Sequence, residues 1–244
     1  MKKTIMYKSK KIEYDLIREK RKTLSVRVNE DGSVIVKAPN WVKAGSITDF
    51  VDERAEWIYK KSQLARQHSI EKRKSYESGA IHRCLGRDYR LLVEEASVNR
   101  AYEGKDQLVL VKTRDRSEEA VRKVLGRLWY RKLKEYANEQ IENYMPLLED
   151  YCKKNRVKKR EFMGVTVKNT KSRWGSCSSK GHINLNVKLV SADRDIVDYV
   201  IVHEMCHLIY LDHSKEFWEA VEYVFADYKE IRKNLNENGW KYEI

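Results

Sequence analysis

Alternating apolar and polar positions open the chain and predict β-strands. Residues 12–18, 24–28 and 34–36 show this alternation, and the last two stretches flank the segment Asn29-Glu30-Asp31-Gly32. Because glycine adopts a positive φ angle readily, Gly32 favours a hairpin turn there. A pattern with helical spacing follows, and Ser46 is its expected N-cap residue. The start of the chain is therefore predicted to form a hairpin and then a helix.

The middle of the chain repeats the strand pattern and then changes to a long helical one. Residues 89–93 and 108–111 are the candidate strands. Asp115 or Ser117 can cap a helix whose apolar positions recur every three to four residues. We expect this helix to run until Pro146 interrupts or restarts it, because proline removes a helical hydrogen bond.

The last third carries the clearest strand and the most apolar helix. Residues 182–189 alternate strictly between apolar and polar side chains. Residues 192–211 are predicted to form a helix that is apolar nearly all round from Tyr199 onward, which is typical of a buried helix. Ser214 can cap a final helix after it. These patterns predict an α+β fold.

One internal boundary is expected, and no internal repeat is found. Polar, basic sequence at residues 66–79 separates two regions with their own apolar patterns. We therefore predict an N-terminal β-hairpin and helix region at residues 1–75 and a larger domain at residues 76–244.

Composition limits the class of protein. The chain has 244 residues, of which 41% are hydrophobic, enough for a substantial core. No stretch approaches the roughly 18–20 apolar residues of a membrane-spanning helix, and no signal-peptide pattern follows the N-terminus. The four cysteines are widely spaced and form no C-x-x-C pair, which is typical of reduced thiols. We expect a cytoplasmic protein without membrane contacts.

The positive charge of the chain is unevenly distributed. Residues 1–175 contain 42 Lys and Arg against 25 Asp and Glu, whereas residues 176–244 contain 8 against 12. A strong positive field attracts anions such as nucleic acid, nucleotides or acidic proteins. Solvated lysine-rich helix faces would give the same count, so the basic region indicates only a possible nucleic-acid contact.

The segment His203-Glu204-Met205-Cys206-His207 has the spacing of a catalytic metal site. Residues four apart in a helix project from one face, so the two imidazoles can bind one ion. Glu204 follows the first histidine by about 100° around the helix. It can lie beside the metal without binding it, which is the position of a general base acting on water. Two histidines and a glutamate in an apolar helix are costly unless they are coordinated or paired.

A third ligand is needed, because catalytic zinc sites usually take three protein ligands and keep one position open. His213 follows the expected helix end closely and needs little chain to reach the metal. A carboxylate from the next helix is the alternative, from Glu216, Glu219 or Glu222. We favour His213 and expect one Zn²⁺ ion.

Candidate substrate contacts come from the segment before the metal helix. Arg173 can bind an anionic group or a developing oxyanion, or it can form a structural ion pair. Trp174 adjoins it, and Asn186 lies on the predicted strand 182–189. A strand next to the metal helix also gives an extended substrate an edge to pair with.

These motifs resemble the YgjP-like metallopeptidase family, a relative of the SprT-like and other H-E-x-x-H zincins. The resemblance covers most of the chain and implies a zincin-like core of an antiparallel sheet and the H-E-x-x-H helix. It also implies zinc at His203, His207 and His213, with Glu204 catalytic. Asp212 departs from the Asn that is common in the family, and we expect its carboxylate to orient His213. The shared motifs are Trp57-Ile58, Leu85-Gly86-Arg87-Asp88-Tyr89, Ser172-Arg173-Trp174-Gly175-Ser176-Cys177, Gly181-His182-Ile183-Asn184-Leu185-Asn186, Asp198-Tyr199-Val200, His203–His207, His213-Ser214 and Phe217-Trp218.

The resemblance implies hydrolysis of peptide bonds in a peptide or protein substrate, and two other functions remain open. A nucleoside triphosphate (phosphoanhydride) hydrolase can use the same zinc site, and nine Lys and Arg against one Glu in residues 153–173 suit a triphosphate. The sequence lacks a P-loop and an evident carboxylate cluster for magnesium, which argues against it. A nucleic-acid-associated protein with conditional proteolysis is the third function. Purely structural zinc sites are closed, whereas this pattern leaves Glu204 free.

Overall fold

The computed structural model describes residues 1–29, 31–71, 75–170 and 173–242, without the side chains of residues 68–71. The chain divides into two compact units, Met1–Arg73 and Lys74–Ile244. The boundary predicted from the sequence lies between residues 75 and 76. That the two regions fold independently stays a prediction. No helix in the described part of the chain is long and apolar enough to cross a membrane.

The first unit contains a four-stranded sheet in the order β1-β2-β4-β3. The predicted hairpin is confirmed, because β3 and β4 pair antiparallel with Val28 opposite Val34, and Gly32 has a φ of 79°. Glu30, within the expected turn, lies outside the described residues. The elements are β1 (Lys2–Tyr7), β2 (Lys10–Glu19), β3 (Ser25–Val28), β4 (Val34–Pro39), α1 (Ala44–Asp52) and α2 (Ala55–Glu71).

The helical part of this unit differs from the expectation. The helix begins at Ala44 after Lys43, so Ser46 is not its N-cap, and a second helix begins at Ala55. Burial of Ile47 in the core shared with the sheet explains why the helix starts earlier than the capping pattern indicates.

The second unit contains a four-stranded and a three-stranded sheet. The four-stranded sheet has the order β5-β6-β8-β7, with a parallel central pair and antiparallel outer pairs. The first unit uses the same order and the same pairing directions. One strand topology therefore occurs twice although the sequence shows no repeat. The strands are β5 (Ile81–Cys84), β6 (Arg87–Glu95), β7 (Arg100–Glu103) and β8 (Leu108–Thr113).

The three-stranded sheet adjoins the predicted helix 192–211 and has the order β10-β11-β9. Its strands are β9 (Val165–Lys168), β10 (Gly175–Cys177) and β11 (Ile183–Asn186). We expected an antiparallel sheet, but this one is mixed, because β11 pairs antiparallel with β10 and parallel with β9. The predicted strand 182–189 also ends early: Asn186 Oδ1 accepts the Lys188 amide and starts a 3-10 turn, Val187–Ser191.

Four helices complete the second unit: α3 (Glu118–Asn155), α4 (Arg194–Cys206), α5 (Lys215–Val224) and α6 (Tyr228–Asn238). Ser117 caps α3 as expected, but the helix continues through Pro146. Burial of Leu148 and Tyr151 beyond the proline explains this, since packing can outweigh a cost of about 3 kcal/mol.

The predicted helix 192–211 is shorter in the structure, ending at Cys206, and α6 follows the helix that we expected to be the last. Along α4, residues on all sides are buried, including Ile196, Val200 and Met205, which confirms the buried helix. The core of this unit joins α3, α4 and α5 to both sheets. A rigid apolar layer therefore supports the end of α4, where the candidate chemistry lies.

Candidate active site

Three histidines come together at the end of α4. His203 lies in the last turn of the helix, His207 is its C-cap residue, and His213 lies in the loop before α5. One ring nitrogen from each lies within 4.8 Å of those of the other two. The Nε2 atoms of His203 and His213 are 3.1 Å apart. Ligands on a tetrahedral zinc ion are about 3.3 Å apart when the bonds are about 2.0–2.1 Å, so the spacing fits one ion.

The loop that carries His213 is fixed by the start of α5. Ser214 caps this helix by accepting the Phe217 amide at 3.4 Å. Asp212 Oδ1 accepts the Ser214 amide at 3.3 Å, so this carboxylate orders the loop. We expected Asp212 to orient the His213 ring, and no such hydrogen bond occurs among the described residues. His213 therefore reaches the site because the helix cap sets the path of the chain.

The protonation of the imidazoles suits metal binding. His207 Nδ1 lies 2.9 Å from the Tyr210 carbonyl, so it carries the proton and leaves Nε2 free as a ligand. Burial, with added repulsion from His207 and His213, lowers the pKa of His203 to about 3. Burial also lowers the pKa of His207. Both rings are therefore neutral at physiological pH, the form that binds a divalent metal.

Two aromatic residues of α5 hold the histidine rings in place. Phe217 is fully buried, and its ring centroid lies 4.6–5.0 Å from those of all three histidines. Trp218 stacks on His213 at 5.7 Å with an interplanar angle of 26°. Such contacts restrict ring rotation, so the three rings are held in the arrangement that a metal site requires.

Arg160 fixes the C-terminal end of α4. Its guanidinium donates to the carbonyl of His207, to the carbonyl of Leu208 at 3.2 Å, and to that of Ser179 at 3.1 Å. The last carbonyls of a helix lack partners within the helix. The arginine therefore satisfies them and holds the backbone that carries His207.

Glu204 lies beside the histidines with its side chain largely buried. The residue is 5% exposed, and burial raises its pKa to about 8, opposed by the positive charge of Arg173. Its carboxyl packs on the backbone of Gly175 in β10: an added Cβ there would lie 2.5 Å from Oε1. Only glycine leaves room for this carboxyl, so the strand defines the position of the acid.

One cavity of about 500 Å³ is lined by Glu204 and by two of the three histidines, His203 and His213. Arg173 and Trp174 line it, as predicted for substrate contacts, although their roles stay predictions. Trp174 is held by a 5.9 Å ring contact with Tyr242, and Gly239 packs against its indole. The lining residues are Arg173, Trp174, Gly175, Tyr199, Val200, His203, Glu204, His213, Trp218, Arg232, Leu235 and Asn236.

Asn186, the third predicted substrate contact, is not among the residues that line this cavity. Its amide donates to the carbonyls of Thr170 and Arg173 at 3.0 Å, and its oxygen accepts the Lys188 amide. The residue is 4% exposed. The two bonds that its amide nitrogen donates hold the segment that carries Arg173, which gives Asn186 a positioning role, and direct contact with substrate stays a prediction.

The alternative carboxylate ligands lie elsewhere. Among the described residues, His203, His207 and His213 form the one group of three potential ligands within mutual reach. Glu219 pairs with Lys215 at 3.4 Å and Glu222 with Lys229 at 2.8 Å.

Sequence reasoning missed several residues that shape the site. Tyr199, Trp218 and Arg232 line the cavity, and Gly175 supports Glu204. The segments that contain Gly175 and Trp218 stood out as motifs, but nothing in their spacing showed what they contact. Arg232 lay in a charged helix with no distinguishing pattern.

Comparison with known proteins agrees with this chemistry. The model of the YgjP-like metallopeptidase domain matches residues 22–238. No curated protein matches the chain. Among solved structures, the metallopeptidase zymogen abylysin of Pyrococcus abyssi is similar to part of the chain. It is 24% identical over 39% of this chain and 95% of that one, with a TM-score of 0.31. Because the domain model spans nearly the whole sequence, the chain belongs to the YgjP-like metallopeptidase family and is a metal-dependent peptidase in general character.

Proposed function

We propose that this protein is a zinc-dependent metallopeptidase in which Glu204 is the general base. The observation that carries the proposal is a group of three histidines within reach of one ion, two of which line the same cavity as the buried carboxyl of Glu204. The four cysteines are free, which agrees with a reducing compartment, and we propose the cytoplasm.

The residues fit zinc better than magnesium or calcium. Imidazole nitrogens are good ligands for zinc, whereas magnesium and calcium prefer oxygen ligands. Three protein ligands with an open position are typical of catalytic zinc. When bound, the metal polarises the substrate carbonyl and lowers the pKa of the attacking water.

Glu204 then moves the proton. Burial raises the pKa of this carboxyl, but a bound cation nearby would favour its ionised form. The carboxylate would then accept a proton from the water and deliver it to the amine that leaves the cleaved bond. The contact with Gly175 keeps the acid at the wall of the cavity and limits its alternative rotamers. Proton transfer needs such a fixed geometry, because a small displacement of the base lengthens the hydrogen bond along which the proton moves.

The sheet edge and Arg173 bind the substrate in this proposal. β10 is the edge strand of its sheet and contains Gly175, beside Glu204. An extended peptide can add to such an edge and place its backbone along the cavity. Arg173, on the segment entering β10, carries the charge that stabilises the developing oxyanion.

A phosphoanhydride substrate is the second candidate, since Arg173 and Arg232 both line the cavity and attract anions. A product screen by mass spectrometry separates the two. Zinc-loaded wild type and Glu204→Gln receive one mixture of peptides, unfolded protein and nucleoside triphosphates. New peptide termini made only by wild type support the peptidase. Nucleotide products made only by wild type replace it with a nucleotide hydrolase. An equal product set from both proteins contradicts the role of Glu204.

A further inference from the structure

A second arginine, Arg232, lies beside the candidate metal site on a helix that carries none of the three histidines. Arg232 lies on α6 and lines the same cavity as His203 and Glu204. Its guanidinium lies 4.2 Å from the ring centroid of Trp218. That indole also stacks on His213, so one aromatic ring lies against both the arginine and a candidate metal ligand.

The aromatic support fixes the arginine in place. Trp218 stacks on Tyr228 at 5.5 Å with an interplanar angle of 13°, and Tyr228 is itself buried. Stacking leaves the edge of the guanidinium free to donate hydrogen bonds. An arginine held in this way loses less side-chain entropy when it binds an anion than a mobile surface arginine does.

Neither cavity arginine is neutralised within the described residues. Arg173 and Arg232 form no ion pair there, whereas Lys229 on the same helix as Arg232 pairs with Glu222 at 2.8 Å. Glu204 is the one acidic residue of the lining, and the proposed chemistry already uses it. The cavity therefore holds two unpaired positive charges that a substrate can meet.

Arg232 lies close enough to the candidate ligands for a neighbouring substrate residue to reach it. Its guanidinium lies 4.2 Å from the Trp218 ring centroid, and that centroid lies 5.8 Å from the centroid of the His203 ring. The guanidinium is therefore at most about 10 Å from the His203 ring. Successive Cα atoms of a peptide lie about 3.8 Å apart, so the carboxylate of a residue next to the scissile bond can reach this arginine.

We propose that Arg232, held on Trp218, selects peptides that carry a carboxylate on the residue next to the scissile bond. The carboxylate comes from an Asp or Glu side chain or from the C-terminus of the substrate. This inference rests on the proposed function, because it assumes that a peptide occupies the cavity.

Binding tests the inference separately from cleavage. Zinc-loaded Glu204→Gln protein is titrated with labelled peptides that share one sequence and carry Glu, Gln or Lys at each position in turn. Each peptide is made with a free and with an amidated C-terminus, which distinguishes the two sources of the carboxylate. We expect the best Glu or free-carboxylate peptide to bind about tenfold more tightly than its neutral counterpart.

Arg232→Gln, added to Glu204→Gln, should bring this ratio close to one. Lys233→Gln is the matched control, because it removes the same charge from the neighbouring exposed position, which does not line the cavity. The control should keep the ratio of its parent. Arg232→Glu should reverse the preference towards the Lys peptide.

Three results would overturn the inference: equal binding of acidic and neutral peptides, a preference that survives Arg232→Gln, or a preference that Lys233→Gln removes equally. Tight binding of nucleoside triphosphates that depends on Arg232, without peptide binding, would assign the arginine to phosphate instead. Wild type could also fail to cleave a peptide that Glu204→Gln protein binds selectively. That result would contradict the proposed peptidase function but not the proposed carboxylate binding by Arg232.

Discussion

The backbone of Gly175 lies directly against the carboxyl group of Glu204. A Cβ atom at this position would lie 2.5 Å from Oε1 and 2.7 Å from Cγ of the acid. Gly175 belongs to the edge strand β10 and Glu204 to the helix α4, so the contact joins two elements that are far apart in sequence. The packing of β10 against α4 therefore determines the position of the proposed base, Glu204.

Gly175→Ala should therefore impair catalysis without removing the metal site. The new methyl group displaces the Glu204 carboxyl, and a shift of about 1 Å can lower kcat about 100-fold. Zinc content should stay at the wild-type level, because the three histidines are untouched. Gly126→Ala is the control, since no atom lies within 4 Å of its added Cβ. Peptide-cleavage kinetics and metal analysis test this, and unchanged kcat in Gly175→Ala would contradict it.

His213→Ala should weaken zinc binding by at least about 100-fold, because it removes one ligand of three. The residue is exposed, so the fold should persist. Glu216→Gln should leave zinc affinity unchanged, since this alternative ligand lies outside the histidine group. Competition with a chromogenic chelator measures both affinities. A loss in Glu216→Gln that matches the loss in His213→Ala would restore the carboxylate as a ligand.

Arg160→Met should destabilise the end of α4 by about 2–3 kcal/mol, because charged hydrogen bonds to partly buried carbonyls are lost. Zinc affinity should fall as well, since His207 carries one of those carbonyls. Urea unfolding of the metal-free protein gives the stability change. Lys158→Met, at an exposed position two residues away, should change it by less than about 0.5 kcal/mol. Equal values for the two variants would remove the assigned role of Arg160.

Asp198 should make stability depend on pH. Burial raises the pKa of its carboxyl above the ordinary value of 3.8, although the Tyr136 and Tyr144 hydroxyls donate to it at 2.8 and 3.3 Å and lower it. Between the ordinary and the raised pKa, the folded state binds more protons than the unfolded state. Stability from this group is therefore present at low pH and is lost as pH rises through that window.

The side chain in Asp198→Asn cannot ionise. The free energy of unfolding of wild type, relative to that of the variant, should therefore fall as pH rises through this window and then stay level. Urea unfolding of both proteins at a series of pH values measures the difference. Tyr136→Phe removes a hydroxyl that lowers the pKa of Asp198, so that pKa should rise further and the window should extend to higher pH. A difference that does not change with pH would contradict the raised pKa.

Several elements were predictable because their signals are local. Alternation predicted β3 and β4, and the serine hydroxyls of Ser117 and Ser214 marked two helix starts. Other expectations failed where packing outweighed a local preference. Burial carries α3 through Pro146 and starts α1 before Ser46, and the Asn186 side chain ends β11 early.

The sequence by itself determined the family, the α+β class, the buried helix and its pair of histidines. Spacing of four residues on a helix is enough to place His203 and His207 on one face, because helix geometry is local. Only the tertiary structure decided which residues meet that face. It places His213 beside His203 and the backbone of Gly175 against Glu204, and it lines the cavity with Trp218 and Arg232. It also shows that the Asn186 side chain bonds to the segment that carries Arg173. Those contacts join separate elements through the shared core, and packing of this kind leaves no periodic signal in the chain.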